Sequence, residues 1–404
     1  MNIHASLRAP AVRRAPQPLA RVLAGVFMAG AFGLGAAPAS AITVYDITLI
    51  GFYDAGHTRS DGWQNNSARF VNDAGQVAGH AERYNGSTSA GYSAWLHSGG
   101  TTQEIGLTGA GYTRSDGYRY NDAHFVNDVG QVAGLAQRYN GLTVKGQSAW
   151  LYSGGSAQEI GLTGAGHTRS DGWQNNSARF LNAAGQVAGH ADRYSGSAAT
   201  GLSAWLYSGG STQEIGLTGA GHTRSDGYQV NYAQFLNAAG QVAGYADRYN
   251  GSTATGRSAW FFDPLTSQTY SMDGSISVLT GTAYSSIYFL GDDGLALGQY
   301  TLYDVGGSNL GSRAFSFTVA EGWNDLGSLV DGGLNDAGWS YLANAYRANA
   351  AGQIIGNGVL AGMNGQAAYL LTPVPEPETW AMLVAGLALV GTAARRRSAP
   401  LAAN

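Results

Sequence analysis

Apolar and polar residues alternate in short runs along most of the chain, and glycine-rich segments separate these runs. The clearest run is Phe-(Val/Leu)-Asn-x-x-Gly-Gln-Val-Ala-Gly, which begins at Phe70, Phe125, Phe180 and Phe235. Its Asn-x-x-Gly centre supplies the positive-φ residue that a short turn between antiparallel strands requires. The pattern therefore predicts a β-hairpin in each copy.

A second hairpin is predicted after each of these. The triplet Ser-Ala-Trp is centred on Trp95, Trp150, Trp205 and Trp260. In the first three copies a Ser-Gly-Gly turn and the strand-like Gln-Glu-Ile-Gly-Leu follow, and the fourth copy has Asp263-Pro264 at this turn. We expect the tryptophans to lie in the core, between neighbouring units.

The units form an array with a fixed period. Gly106, Gly161 and Gly216 each open the string Gly-Leu-Thr-Gly-Ala-Gly, at a spacing of 55 residues, and a diverged copy starts at Gly51. Residues 161–210 and 216–265 are identical at 37 of 50 positions. Such a period predicts a propeller, solenoid or similar array. Four short strands joined by hairpins are typical of a propeller blade.

Two fainter copies follow, near Phe289 and Arg347, and the last copy stops one strand short. Residues 44–51, which include Val44, align with the fourth strand of the other units. An N-terminal strand that completes the last blade would close the ring and remove two free edges. The expected fold is therefore all-β, a propeller of about six four-stranded blades. An open, β-solenoid-like repeat array is the alternative.

Composition agrees with this interpretation and excludes several classes of site. Glycine supplies 61 of 404 residues, 44% of the chain is hydrophobic, and only 12% is charged. This balance does not fit a highly charged disordered chain. Cysteine is absent, which excludes disulfides, thiolate metal sites and cysteine nucleophiles.

The N-terminus has the order of a secretory signal. Four arginines between positions 8 and 21 precede an apolar run over residues 22–37 and the small-residue site Ala39-Ser40-Ala41. This order predicts a signal peptide over residues 1–41, cleaved after Ala41 by signal peptidase. An uncleaved membrane anchor is the alternative.

The C-terminus carries a second processing signal. Pro375-Glu376-Pro377 is followed by an apolar run over residues 380–394 and by Arg395, Arg396 and Arg397. A run of this length can just enter a bilayer, and the arginines stay on the cytoplasmic side. The segment 373–404 resembles the PEP-CTERM sorting signal. The resemblance implies an exported protein of a Gram-negative bacterium that makes exopolysaccharide. It also implies transient inner-membrane anchoring and an exosortase-type sorting enzyme as partner; an ordinary C-terminal anchor is the alternative.

The segment between the two signals is acidic. Residues 42–374 contain 15 basic and 24 acidic residues, a net charge of −9. An acidic body disfavours nucleic acid as a partner. We therefore divide the chain into a signal peptide (1–41), a repeat domain (42–372) and a sorting segment (373–404).

The repeat pattern is similar to the extracellular HAF repeat family, which is named for a His-Ala-Phe triplet. Asn-x-x-Gly-Gln-Val-Ala-Gly, Ala-Trp-Leu and Asp-Leu-Gly-Ser-Leu carry the resemblance, which covers most of residues 43–371. The triplet is Ser-Ala-Trp in most copies and Arg313-Ala314-Phe315 in the fifth, so the histidine is missing. The resemblance implies an exported repeat protein and brings no catalytic residues.

The connections between units carry the candidate binding residues. We expect the second–third loops and the crossovers to be long and to lie on one face of the propeller. Each crossover repeats a ring, an arginine, an aspartate and an aromatic residue. The candidates are His57, Arg59, Asp61, Trp63, Tyr112, Arg114, Asp116, Tyr118, His167, Arg169, Asp171, Trp173, His222, Arg224, Asp226 and Tyr228.

Arginine and aspartate can bind vicinal hydroxyls while an aromatic ring stacks on a sugar, so these loops suit a glycan. In the alternative interpretation, Arg and Asp pair with each other and only hold the loop.

No metal, cofactor or catalytic motif is expected from the sequence. We therefore expect a noncatalytic surface or biofilm-matrix protein that binds exopolysaccharide or another surface partner. A polysaccharide hydrolase or lyase is the alternative, with Asp292, Asp293, Asp304 and Glu321 as its candidate acids.

Overall fold

The computed structural model describes residues 45–363 and 365–374. The chain divides into two units by packing, Met1–Thr48 and Leu49–Asn404. In the first unit, residues 45–48 have no regular structure. In the second, the described residues are almost entirely strands, and their one helix is a short 3-10 turn, Leu326–Leu329. The all-β prediction is confirmed.

The strands fall into six consecutive repeats. The first contains β1 (Asn66–Val71), β2 (Val77–Asn85), β3 (Thr88–Ser98) and β4 (Thr101–Ile105). The second contains β5 (Arg119–Val126), β6 (Val132–Asn140), β7 (Thr143–Ser153) and β8 (Ser156–Ile160). The third contains β9 (Gln174–Leu181), β10 (Val187–Ser195), β11 (Ala198–Ser208) and β12 (Ser211–Ile215). The fourth contains β13 (Gln229–Leu236), β14 (Val242–Asn250), β15 (Thr253–Asp263) and β16 (Gln268–Ser271). The fifth contains β17 (Ala283–Leu290), β18 (Ala296–Tyr303), β19 (Asn309–Thr318) and β20 (Gly322–Asp325). The sixth contains β21 (Trp339–Ala348), β22 (Ile354–Leu360) and β23 (Ala367–Leu371).

Within each repeat the strands pair antiparallel in chain order, as the two predicted hairpins require. The connection between the second and third strands was predicted to be a long loop, and it is a tight turn. In the first repeat, β2 and β3 run to the tight turn at Gly86, which has a φ of 63°. Arg83 and Tyr84 therefore lie in a strand. Of the two kinds of connection that were predicted to be long, only the crossover is long.

Neighbouring repeats are joined through their sheets. The start of each third strand pairs in parallel with the start of the next first strand, as in Gly91 with Arg119. These contacts link the first five repeats into one sheet of 20 strands, and β21–β23 form a separate sheet of three.

The core lies between the repeats. Five clusters of buried apolar residues fill the five junctions between consecutive repeats. In the first, Trp150 and Val132 of the second repeat pack against Ala78 and Leu96 of the first. All four tryptophans of the Ser-Ala-Trp triplets are fully buried, so their predicted core position is confirmed. Truncation of such a tryptophan to alanine costs about 3–5 kcal/mol.

One glycine per repeat makes this packing possible. A Cβ on Gly79 would overlap the carbonyl oxygen of Ser67 and lie 2.6 Å from the ring of Trp95. Gly134, Gly189 and Gly244 have the same surroundings. The glycine of Gln-Val-Ala-Gly therefore lets the first strand and the tryptophan approach from two sides.

The predicted closing strand is not formed. Residues 45–50 have no strand, and Ile47 is 100% exposed; Val44 lies outside the described residues. In the first repeat a tight turn at Gly99-Gly100 joins the third strand directly to the fourth. Residues 45–50 have no such link to β23, because β23 lies at the other end of the chain. Val71 of β1 is 70% exposed, whereas its equivalents Val126 and Leu181 pack into junctions. Over the described part of the chain, the array is thus open at both ends.

Candidate functional site

The four crossover loops precede the first strands of the first four repeats and share one backbone geometry. In the first, the amide of Arg59 donates to the carbonyl of Trp63, and the amide of Ser60 donates to the carbonyl of Gly86. The second bond rests the loop on the tight turn between β2 and β3. The same pair of bonds recurs at Arg114, Arg169 and Arg224. Each loop therefore has the same fixed backbone conformation.

Arginine and aspartate of each loop form a two-bond clip. Arg59 Nε donates to Asp61 Oδ1 at 2.9 Å, and its Nη2 donates to Oδ2 at 2.7 Å. The backbone amide of Trp63 also donates to Asp61. The same clip occurs in Arg114–Asp116, Arg169–Asp171 and Arg224–Asp226. Arg and Asp thus pair with each other, as in the alternative interpretation of the motif.

The clip keeps the aspartates ionised. The hydrogen bonds from Arg59 and the amide of Trp63 lower the pKa of Asp61 to about 2. The pKa values of Asp116 and Asp226 are also lowered to about 2, and that of Asp171 lies further below its usual range, with the arginine bond as main cause. Each loop therefore presents a neutral pair of opposite charges at any physiological pH.

The aromatic residue of each loop stacks with the arginine. In the first loop, the guanidinium carbon of Arg59 lies 5.7 Å from the ring centroid of Trp63. In the second, that of Arg114 lies 4.6 Å from the ring centroid of Tyr118. Trp63 remains 56% exposed. Tyr118 makes an edge contact with Tyr139, and the loops at Trp173 and Tyr228 repeat the stacking. Trp63 is thus exposed, whereas Tyr118, Trp173 and Tyr228 are half-buried and keep part of the ring free.

The first residue of the motif points inward, contrary to its prediction as a ligand-binding group. His57 and His167 are buried, and His222 is largely so. Their Nε2 atoms lie 2.9–3.1 Å from the hydroxyls of Ser93, Ser203 and Ser258. Tyr112 takes the equivalent position, with its hydroxyl 3.4 Å from Ser148. These rings hold the loop to the sheet because the buried serine offers them a partner.

A buried polar network surrounds each of these serines, and sequence reasoning missed it. Ser203 donates to Glu214 at 2.6 Å, and Arg193 donates to both, at 2.8 and 2.6 Å. Arg138, Ser148 and Glu159 repeat the arrangement, as do Arg248, Ser258 and Asp273. In the first repeat Glu104 pairs with Arg119 of the next repeat. The sequences Arg-Tyr and Gln-Glu-Ile recur in the repeats, and this recurrence was the signal from which the network could have been predicted.

One copy has the connectivity of a hydrolase triad. Asp54 lies 3.0 Å from His57 Nδ1, and His57 Nε2 lies 3.1 Å from Ser93 Oγ. However, Ser93 is fully buried, and its hydroxyl donates to Glu104 at 2.7 Å. A nucleophile must be free to reach its substrate and to give its proton to the base. This arrangement is therefore structural.

The candidate acids of the fifth repeat lie in three different turns: Asp292 and Asp293 between β17 and β18, Asp304 between β18 and β19, and Glu321 between β19 and β20. Asp292 accepts from the amide of Ala238, Asp293 from that of Leu295, and Asp304 from that of Ser308. Glu321 lies in the turn between β19 and β20, where its amide donates to Thr318. Within residues 45–363 and 365–374, no group of three or more His, Asp or Glu side chains is placed to hold a metal.

The sorting segment 373–404 lies almost wholly outside the described residues. Residues 373–397 match the PEP-CTERM protein-sorting motif. The match confirms the predicted motif, including Pro375, Glu376, Pro377 and the three arginines, and marks an exported protein that exosortase processes. No helix in the described part of the chain is long and apolar enough to cross a membrane. The predicted spans, including the signal peptide, fall outside that part.

Comparison of the whole chain with known proteins gives distant similarities. No curated protein sequence matches it. A prolyl endopeptidase structure shares 10% identity at a TM-score of 0.37, over 77% of this chain and 42% of the endopeptidase. The chain thus spans less than half of that protein.

Two further structures are similar at this level. A lectin of Aleuria aurantia, described as a six-bladed β-propeller that recognises fucose, shares 9% identity at a TM-score of 0.26, over 65% of this chain and 77% of the lectin. A sialidase of Trypanosoma rangeli shares 9% identity at a TM-score of 0.28, over 81% of this chain and 57% of the sialidase. Likenesses of this size do not decide between binding and catalysis.

Proposed function

We propose that this protein is an exported, noncatalytic polysaccharide-binding protein of the cell surface or biofilm matrix, which contacts its polymer through the four crossover loops. The observation that carries the proposal is the fourfold recurrence of one projecting clip with a stacked aromatic residue. A repetitive polymer offers equal subsites to equal loops, so weak single contacts add up to useful avidity.

The loops keep binding capacity after the clip has formed. The clip uses Nε and one Nη2 hydrogen of each arginine, so the Nη1 group remains for a sugar hydroxyl. The Oδ1 atom of each aspartate already accepts two bonds, from arginine Nε and from a backbone amide, so Oδ2 is the carboxylate oxygen that can accept a further bond from a ligand. The exposed edge of Trp63 or its equivalents supplies apolar contact. Vicinal hydroxyls with an apolar sugar face fit this set of groups.

The test is binding of the full chain, in detergent, to an array of neutral and acidic bacterial exopolysaccharides. In a fourfold variant, Trp63, Tyr118, Trp173 and Tyr228 are changed to alanine. In a control variant, Leu265 and Val305, which lie outside the crossover loops and are 91% and 99% exposed, are changed to alanine. We expect the control to bind like the unchanged protein and the fourfold variant to lose binding by at least about tenfold. Equal binding by all three proteins, or no binding to any polymer, would contradict the proposal.

The hydrolase or lyase alternative gives a different result in the same samples. A catalyst shortens the polymer over time, whereas a binding protein leaves its length unchanged. The burial of the serines described above favours binding.

A further inference from the structure

Every first strand contains a β-bulge at the same position. The pairing with the second strand shifts by one residue between Ala68 and Phe70 in the first repeat, and the same shift recurs in all six. Bulges re-aim a side chain and are enriched at sheet edges and next to active sites. The residues at the bulge are Arg69, His124, Arg179, Gln234, Tyr288 and Tyr346.

The backbone is kept at this position while the side chain changes. The third and fourth repeats match at 37 of 50 positions, which leaves 13 differences. Five of the 13 lie on the sheet face around the bulge. They are Asn175/Val230, Ser177/Tyr232, Arg179/Gln234, His190/Tyr245 and Leu202/Arg257. The sheet face around the bulge is therefore one of two places where these units differ most; the other is the end of the third strand and the turn after it, residues 206–210 and 261–265.

The bulges of successive repeats are neighbours. The turn that follows each bulge is joined to the next by a side-chain bond: Asn72 Nδ2 donates to the carbonyl of Asn127 at 2.7 Å, and Asn127 donates to that of Asn182 at 3.0 Å. The rings of Phe70 and Phe125, next to the bulges, have centroids 6.0 Å apart. The bulge residues thus form a continuous row along the array, which we call the bulge row.

A groove opens at the bulge row between the third and fourth repeats. Its volume is about 560 Å³, and its lining includes Arg179, Phe180, Tyr232, Gln234, Phe235 and Tyr245. Tyr232 stacks between His190, at 4.5 Å, and Tyr245, at 5.6 Å. The ring stack fixes one wall of the groove, and Arg179 holds its position by donating to the hydroxyl of Tyr232 at 3.1 Å.

The charge of the groove differs from that of the rest of the surface. Among the described residues, Arg179 and Arg69 have no carboxylate partner, as is also true of Arg83, Arg313 and Arg347. The four loop arginines and Arg138, Arg193 and Arg248 of the buried networks are each paired with an acid. Arg179 and Arg69 are both exposed. His190, 8% exposed, also keeps Nδ1 without a partner. An anionic group therefore finds the unpaired guanidinium of Arg179 at this groove.

We propose that the bulge row is a second binding surface, whose groove between the third and fourth repeats takes a carboxylated sugar such as a uronic acid. Arg179 binds the carboxylate, Gln234 binds a hydroxyl, and Phe180, Phe235 and the tyrosines contact the ring. The surface lies where the first strands end, whereas the crossover loops lie where they begin. The proposal goes beyond the function of the loops and does not depend on it.

The test is titration calorimetry of the full chain with tetragalacturonate and with its fully methyl-esterified form. The variant Arg179→Gln introduces the residue that the fourth repeat already carries at this bulge, so we expect it to fold. We expect tetragalacturonate to bind, the ester to bind at least about tenfold more weakly, and R179Q to lose about the same factor. The fourfold loop variant should bind tetragalacturonate like the unchanged protein.

The outcomes separate the two proposals. Loss of tetragalacturonate binding in the loop variant, with R179Q unaffected, would assign the ligand to the loops and overturn the bulge-row site. Equal binding of the acid and the ester, or no binding of the acid, would overturn it as well. A melting curve of each variant checks that a loss does not come from unfolding.

Discussion

Individual residues of the crossover motif divide between two roles that the sequence could not separate. Arg59 and Asp61 were predicted as a possible ligand-binding pair, and the structure places them in a clip with each other. His57 was grouped with them by position in the motif, yet it lies buried against Ser93. Spacing along a loop does not tell which side chains face the sheet, because Ser93 comes from a distant strand.

The buried ring of the motif predicts a pH dependence of stability. Burial, with Arg248 nearby, lowers the pKa of His222 to about 4. An unfolded histidine has a pKa of about 6.5, so between these values the unfolded chain binds more protons than the folded one. The free energy of unfolding therefore falls as the pH drops from about 6.5 towards 4.

The natural Tyr112 gives a matched substitution for this test. Between neutral and low pH, the free energy of unfolding should fall by about 1–2 kcal/mol less in His222→Tyr than in the unchanged protein. This figure allows for partial screening by solvent. The measurement is the urea midpoint at pH 7.5 and at pH 5. The converse change, Tyr112→His, should increase the loss between these two values. Unchanged pH dependence in both variants would show that the buried ring carries no such linkage.

The strands and hairpins follow closely from the sequence, and one connection does not. Phe-x-Asn-x-x-Gly and Ser-Ala-Trp predicted both hairpins of a repeat because turn residues and alternating apolar residues act locally. The polar stretch from Glu82 to Asn85 was expected to be a loop, and it continues β2 to the turn at Gly86. Its polar residues are half-buried in networks with other strands, which a local pattern cannot indicate.

The asparagine of each Asn-x-x-Gly turn links neighbouring repeats as well as forming the turn. Asn182 Nδ2 donates to Gln186 at 2.7 Å and to the carbonyl of Asn237 in the next repeat at 2.9 Å. Asn349 of the last repeat bonds to Gln353 at 2.8 Å, and no bond to another repeat occurs for it among the described residues. Asn182 therefore stabilises a junction, while Asn349 stabilises only its own turn.

The two positions form a controlled pair. We expect Asn182→Ala to lower the free energy of unfolding by about 1–3 kcal/mol, because it removes a buried hydrogen bond between repeats together with the bonds of its own turn. Asn349→Ala should cost about 0.5–1 kcal/mol, since its turn is exposed. Denaturant unfolding of both variants measures the difference. Equal losses would mean that the bond between repeats adds nothing to stability.

Across the whole repeat domain, the repeat number and the unfinished last repeat were predictable, and closure was not. Residues 45–50 match the fourth-strand pattern, but pairing with β23 needs a contact across the full length of the chain. The cost of closing so long a loop is not visible in a local pattern. The bulge row was missed for a related reason, because a bulge depends on the register between two strands.

An open array has weaker ends than its middle. Among the described residues, β1 contributes no residue to a buried cluster, whereas β9 lies between two, to which Ala178 and Phe180 contribute. Amide hydrogens of β1 should therefore exchange faster than those of β9, by at least about tenfold. Hydrogen exchange with mass spectrometry on peptides from the two strands measures this. Equal protection of both strands would indicate that the ring closes.

The proposed function is binding of a polysaccharide without catalysis. The most direct measurement follows the full chain and a recognised exopolysaccharide together by size-exclusion chromatography with light scattering over a day. We predict saturable co-elution, with the molar mass of the polymer unchanged after the protein is removed. A falling polymer mass would contradict the claim in favour of a hydrolase or lyase, and separate elution at all ratios would contradict polysaccharide binding itself.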